Sequence, residues 1–111
     1  MTEDVIKEEL IKSAWWLHDC VEGKKVFKII EEFLGKVDSV YILAHTPEQD
    51  EDIFRILVNG KTVVGFELPR HAEEIGCVDV GSMTVHEYRK HVRGKRSQLK
   101  LKIALDLAKK G

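Results

Sequence analysis

The sequence predicts an α+β fold, in which two N-terminal helices pack on a three- to four-stranded, mostly antiparallel sheet and one or two basic helices follow. Three observations predict this fold. Apolar residues recur at helical spacing in the first third of the chain, β-branched runs flank an Asn-Gly pair in the middle, and Lys and Arg accumulate near the end. We expect a single domain over residues 1–111, because domains commonly contain about 100 to 150 residues.

The first helix is expected over residues 3–21, where apolar side chains recur every three or four positions and Gly23 provides a stop. A second helix is expected at about 24–34. Adjacent helical residues point about 100° apart, so Trp16 is expected near the boundary of the core if Trp15 packs inside it. Because an exposed tryptophan often anchors an interface, Trp16 is the candidate interface residue.

β-branched and aromatic residues follow the two helices and predict a sheet. Strands are expected at 39–45, 53–58 and 62–68, with a short fourth strand at 77–80.

Asn59-Gly60 favours a two-residue type I′ turn between the second and third strands, because both residues tolerate positive φ. Such a turn pairs Val58 with Lys61. The same register places Asp52 directly opposite Glu67 at the open end of the hairpin.

The C-terminal third is predicted to be helical. Thr84 and Glu87 have the spacing of a capping box, which predicts a short helix after Thr84. Residues 94–97 form a basic hinge. The segment 98–110 is ambiguous, since its apolar residues alternate as in a strand while Leu, Lys and Ala favour a helix. We favour the helix, whose broad apolar face would serve as a packing surface or a dimer interface.

The net charge of −1 hides a polarity along the chain. Residues 1–55 carry 13 acids and 7 bases, whereas residues 56–111 carry 6 acids and 11 bases. The basic segment near the end contains Arg89, Lys90, Arg93, Lys95, Arg96, Lys100 and Lys102. A cluster of this kind can bind a phosphate backbone, which releases counterions, or it can bind an acidic protein. The remaining alternative is a charged face that is only solvated.

The leading hypothesis is therefore a non-enzymatic binding or regulatory module. Its basic C-terminal segment would contact nucleic acid or an acidic protein partner, and we expect the chain to form a homodimer. No cofactor is implied by this hypothesis.

The alternative hypothesis rests on Asp52 and Glu67. Carboxylates on adjacent strands can hold one Mg²⁺ ion, because hard divalent cations prefer oxygen ligands. A helix followed by a hairpin with an acid on each arm resembles the core of the PD-(D/E)xK nuclease superfamily. The resemblance covers little more than the hairpin and implies a metal-dependent nuclease. Pro69 stands where that family has its lysine.

Two histidines extend this alternative. His45 ends a predicted strand and His71 begins the loop after the hairpin. If both lie at the sheet edge that carries Glu67, they form an acid–base set with it.

Cys20 and Cys77 are expected to be buried thiols. Asn and Gln are sparse while Lys and Glu are abundant, which is a thermophile-like composition. Because intracellular proteins of hyperthermophiles can contain disulfides, a disulfide between Cys20 and Cys77 is the alternative.

The N-terminal sequence lacks a secretory signal pattern, so we expect a cytoplasmic protein. No apolar run approaches the roughly 20 residues that a membrane span needs.

Overall fold

The computed structural model describes residues 3–47, 51–69 and 80–110, and it confirms the predicted α+β fold. The helices are α1 (Glu3–Asp19), α2 (Val21–Leu34), α3 (Val85–His91) and α4 (Lys95–Lys110). The strands are β1 (Val40–Pro47), β2 (Glu51–Val58), β3 (Thr62–Pro69) and β4 (Val80–Thr84). These strands form one antiparallel sheet in the order β1-β2-β3-β4. Within the described ranges, no helix is long and apolar enough to cross a membrane.

Each face of the sheet carries its own apolar core, because successive strand residues point to opposite faces. The α4-side core contains Ile6, Leu10, Leu43, Leu57, Val63, Tyr88, Leu101, Ile103 and Ala104. The α2-side core contains Leu17, Val26, Ile30, Val40, Phe54, Ile56, Val58, Val64 and Phe66. Helix α1 contributes to both cores, so it joins the two layers of helices across the β1 edge of the sheet.

The junction of α1 and α2 differs from the predicted one. The chain leaves helical geometry at Cys20, which has φ −88° and ψ 144°, and α2 begins at the next residue. Gly23 is not a helix stop, because it is buried inside α2. A Cβ atom at this position would collide with the carbonyl oxygen of Trp16. Glycine is therefore required where the two helices cross.

The hairpin of β2 and β3 has a three-residue loop instead of the predicted two-residue turn. Asn59 and Gly60 have the expected positive φ, at 55° and 66°. Lys61 also belongs to the loop and donates its N–H to the Val58 carbonyl at 3.1 Å. Val58 consequently pairs with Thr62, which shifts the whole register by one residue. The predicted pairing of Val58 with Lys61 is wrong.

Hydrogen bonds from Asn59 explain why the loop is longer. Its Oδ1 accepts the N–H groups of Asp38 and Ser39, at 2.6 and 3.2 Å. Its Nδ2 donates to the carbonyl of Lys36 at 3.1 Å. These bonds tie the hairpin loop to the connection between α2 and β1, a constraint that the local dipeptide pattern does not contain.

The C-terminal elements follow the prediction with shifted boundaries. The fourth strand exists but occupies Val80–Thr84, while residues 77–79 lie outside the described ranges. Thr84 caps α3 as predicted. The ambiguous segment 98–110 is helical, and α4 already begins at Lys95 within the predicted hinge. Gly94, with φ 101°, makes the turn between α3 and α4.

Candidate nucleic-acid interface

Helices α3 and α4 hold the basic segment on a rigid base. Thr84 Oγ1 accepts the N–H of Glu87 at 3.1 Å, and Glu87 Oε1 accepts the N–H of Thr84 at 3.3 Å, which completes the capping box. Tyr88 of α3 and Leu101 of α4, 9% and 2% exposed, anchor the helices in the α4-side core. The helices that carry the basic residues are therefore held against the sheet.

A groove of about 350 Å³ lies between the two helices. Arg89, Val92, Gln98, Leu101 and Lys102 line it. The groove thus combines two cations and one amide with an apolar floor, a combination that suits an anionic group. Val92 and Gln98 were not among the predicted site residues. Gln98 and Lys102 share one helical face through their four-residue spacing, which is the signal in the sequence that could have identified Gln98.

Five of the seven predicted basic residues are exposed and make no ion pair within the described parts of the chain. They are Arg89, Lys90, Arg93, Lys95 and Lys102. The structure therefore brings together a set of cations that form no ion pair with the described acids.

The other two basic residues are engaged by Glu9 of α1. Arg96 Nη2 donates to both carboxylate oxygens of Glu9, at 3.0 and 2.9 Å. Lys100 Nζ lies 3.8 Å from Glu9 Oε2, and its side chain is only 17% exposed. Sequence reasoning missed Glu9, because nothing in the local pattern indicates that α1 packs beside α4.

Lys100 supports the interface more than it presents charge to solvent. Burial lowers the pKa of Lys100, and the positive charge of Arg96 lowers it further, while the nearby Glu9 carboxylate opposes both effects. Its ammonium group is thus stabilised mainly by Glu9, which leaves the exposed cations of the groove as the groups available to a ligand.

A second cleft lies between α1 and the second half of α4. Asp106 lines a cleft of about 200 Å³ together with Glu3 and Asp4 of α1, and Lys7 also borders it. Asp106 follows Lys95 by eleven residues, which corresponds to roughly 16 Å along a helix. The cleft therefore brings acidic side chains of α1 close to Asp106, while Lys95, Arg96, Lys100 and Lys102 lie in the first half of α4.

The proposed metal pair is not formed. In the observed register, Asp52 pairs with Leu68 while Glu67 pairs with Ile53. Because side chains alternate along a strand, the one-residue shift places Asp52 and Glu67 on opposite faces of the sheet. The prediction that they lie opposite each other is wrong, and with it the geometric basis for a shared Mg²⁺ ion. The described residues also contain no group of three or more His, Cys, Asp or Glu side chains suited to a metal.

His45 meets Asp52 instead of Glu67. Its Nε2 lies 3.0 Å from Asp52 Oδ1, and its ring stacks on Phe54 with a centroid distance of 4.6 Å. The predicted set of His45, His71 and Glu67 is therefore not assembled as expected, since Glu67 lies on the other face. His71 and Cys77 lie outside the described residues.

The two tryptophans of α1 differ in exposure. Trp16 is half-buried in the α2-side core and stacks on Phe54 at 6.3 Å between ring centroids. Trp15 is 65% exposed. The half-buried position of Trp16 agrees with its expected place near the boundary of the core, although Trp15 does not pack inside the core, because Leu10 and Leu17 set the orientation of α1 and turn Trp15 outward. The role of Trp16 in an interface stays a prediction.

No protein-family model matches this sequence, and comparisons with curated proteins and with solved structures give no match. The groove between α3 and α4 is the feature of the molecule whose geometry and charge indicate a ligand.

Proposed function

We propose that the surface of α3 and α4 binds the phosphate backbone of nucleic acid. The carrying observation is the group of five exposed cations on two adjacent helices, without acidic partners among the described residues. Such a group binds a phosphate backbone favourably, because each neutralised phosphate releases counterions to the solvent. The protein would act as a binding module.

The chemistry of the groove suits a phosphate group as the ligand. Arg89 provides a planar guanidinium that can form two parallel hydrogen bonds to phosphate oxygens. Lys102 of α4 adds a point charge, and Gln98 of the same helix adds an amide donor. A polyanion with regularly spaced charges can engage this groove and the flanking Arg93 and Lys95 at once.

A binding role fits the groove better than a catalytic role. Among the residues that the structure describes, its lining side chains include no carboxylate, imidazole or thiol, the groups that most often transfer protons or attack a substrate. The arrangement therefore supports positioning of an anion without a chemical step.

Fluorescence anisotropy tests this proposal with labelled single-stranded and duplex oligonucleotides at several salt concentrations. We expect the logarithm of the association constant to fall linearly with the logarithm of salt, with a slope that indicates about four or five phosphate contacts. Absence of binding at low salt, or binding without a salt slope, contradicts the proposal. Poly-glutamate that competes as well as the oligonucleotide would favour an acidic protein partner instead.

A further inference from the structure

We propose that the nucleic acid bound by this surface is double-stranded DNA, and that the first half of α4, residues 95–102, enters its major groove. The assignment rests on the proposed function, because it names the form of nucleic acid that the same cations bind. An α-helix with its side chains fits the major groove of DNA. The outer face of α4 is the surface that meets the bases in this arrangement.

A tight turn connects α4 to α3. Helix α3 ends at His91, and the N–H of Val92 donates to the Tyr88 carbonyl at 3.1 Å. Gly94, with φ 101°, makes the turn, and its carbonyl accepts the N–H of Gln98 at 3.2 Å. Two helices joined by such a short turn with a glycine are common in DNA-binding proteins. The second helix then lies in the major groove, and its N-terminal residues contact the bases.

The outer face of α4 carries polar side chains that suit DNA. Lys95, Gln98 and Lys102 are separated by three and then four residues, so they lie on one face of the helix. All three are exposed, while Leu101 and Ala104 are buried in the α4-side core. The polar face extends for roughly 10 Å along the helix, which is comparable with the width of the major groove.

The second half of α4 does not suit this contact. Asp106 lies on the same face as Lys102, four residues later, and it is exposed. Glu3 and Asp4 of α1 line the cleft beside it. Because these carboxylates repel a phosphate backbone, the contact with DNA is confined to the first half of α4.

Gln98 is the residue of this face that contacts the bases. Its side chain makes no hydrogen bond to the residues that the structure describes. The amide offers a carbonyl acceptor as well as N–H donors, and a phosphate can use only the donors. The major-groove edge of adenine offers an acceptor at N7 and a donor at N6, which match the amide of glutamine. Lys95 and Lys102 contact phosphates on either side and fix the position of the helix.

The same surface suits a single strand less well. Proteins bind single strands largely by stacking the bases on exposed aromatic rings. Tyr88 is the only Phe, Tyr or Trp between residues 85 and 110, and it is only 9% exposed. His86 and His91 are exposed, but their five-residue spacing points them about 140° apart on α3. Duplex RNA also fits poorly, because its major groove is too narrow for side chains to read.

Fluorescence anisotropy of the full chain tests the assignment with four probes. They are an A·T-rich DNA duplex, one of its single strands, the corresponding RNA duplex, and the DNA duplex with 7-deazaadenine in place of adenine. The last probe lacks the N7 acceptor in the major groove and keeps every phosphate. We expect the natural sequence to bind the unmodified DNA duplex roughly fivefold or more tightly than each other probe.

Two variants assign the contact to Gln98. Gln98→Ala should bind the adenine and 7-deazaadenine duplexes equally, because it lacks the group that contacts N7. Ser97→Ala changes the neighbouring exposed residue of the same helix and is the control. It should distinguish the two duplexes as the natural sequence does.

Four results would overturn the assignment. These are equal affinity for the DNA duplex and either the single strand or the RNA duplex, a natural sequence that is insensitive to 7-deazaadenine, a Gln98→Ala variant that still distinguishes the two DNA duplexes, or a Ser97→Ala variant that does not. If binding in these cases retains the salt slope of phosphate contacts, the proposed function stands without major-groove recognition. Absence of binding to every probe at low salt overturns both.

Discussion

Arg96 of α4 donates from Nη2 to both carboxylate oxygens of Glu9 on α1, at 3.0 and 2.9 Å. This contact joins the acidic N-terminal helix to the basic C-terminal helix, and Lys100 approaches the same carboxylate at 3.8 Å. Glu9 therefore withdraws positive charge from the surface that we propose binds nucleic acid. It also fixes where α4 lies relative to α1.

Glu9→Gln is expected to strengthen oligonucleotide binding several-fold at low salt. The substitution removes a negative charge beside Arg96 and Lys100, which makes the surface of α3 and α4 more positive and should steepen the salt dependence of binding. The free energy of unfolding should fall by less than about 1 kcal/mol, because both side chains are partly exposed. Anisotropy titrations and denaturant unfolding measure the two effects.

Glu8→Gln is the matched control for this prediction. Glu8 pairs with Lys12 on α1, at 3.2 Å, and its substitution changes the net charge by the same amount. If Glu8→Gln strengthens binding as much as Glu9→Gln does, net charge alone explains the effect and the specific role of Glu9 is wrong.

Asn59 is expected to stabilise the fold through both its backbone conformation and its side-chain hydrogen bonds. Asn59→Gly retains positive φ but loses three side-chain hydrogen bonds, so it should reduce the free energy of unfolding by about 1 to 2 kcal/mol. Asn59→Ala should cost about 1 kcal/mol more, because alanine is strained at φ 55°. Chemical denaturation of both variants measures the difference. Equal stability of the two variants would argue against strain in the loop.

The element types could be predicted from the sequence because local patterns determine them. In α4, Leu101 and Ala104 are buried while Lys102 is exposed, which agrees with helical periodicity and with the helix-forming residues of that segment. The capping box of Thr84 and Glu87 was equally local. Such features depend on neighbours within one turn of helix.

The features that sequence reasoning missed depend on contacts between distant segments. The hairpin register depends on hydrogen bonds from Asn59 to residues 36–39. A one-residue error there was enough to place Asp52 and Glu67 on the same face. The basic residues of the interface were evident from the sequence, but the pairing of Arg96 with Glu9 was not, because it requires α1 to lie beside α4.

Tyr88 is expected to make the protein less stable in alkali. Burial raises the pKa of Tyr88, and the positive charge of Arg55 offsets only part of this effect. In the unfolded chain a tyrosine titrates near pH 10, at about its reference value. Above about pH 10 the tyrosine of the unfolded chain loses its proton, while Tyr88 of the folded chain keeps it. The free energy of unfolding is therefore unaffected below about pH 10, and it falls as the pH rises from there through the pKa of the folded state.

Tyr88→Phe isolates this effect. The variant should lose less stability than the natural sequence between neutral pH and the region above about pH 10, since phenylalanine does not ionise. Thermal unfolding at a series of pH values compares the two proteins, and the contribution of Lys100 is common to both. Parallel stability curves would contradict the role of Tyr88.

The most direct test of the central claim compares two double variants with the same change in charge. Arg89→Gln with Lys102→Gln removes both cations of the groove, whereas Lys24→Gln with Lys28→Gln removes two exposed lysines of α2. The measurement is the salt dependence of oligonucleotide affinity. We predict that the groove variant reduces the magnitude of the slope by about two and weakens binding roughly tenfold or more at low salt, while the α2 variant changes little. Equal effects of the two double variants, or no effect of the groove variant, would contradict the account.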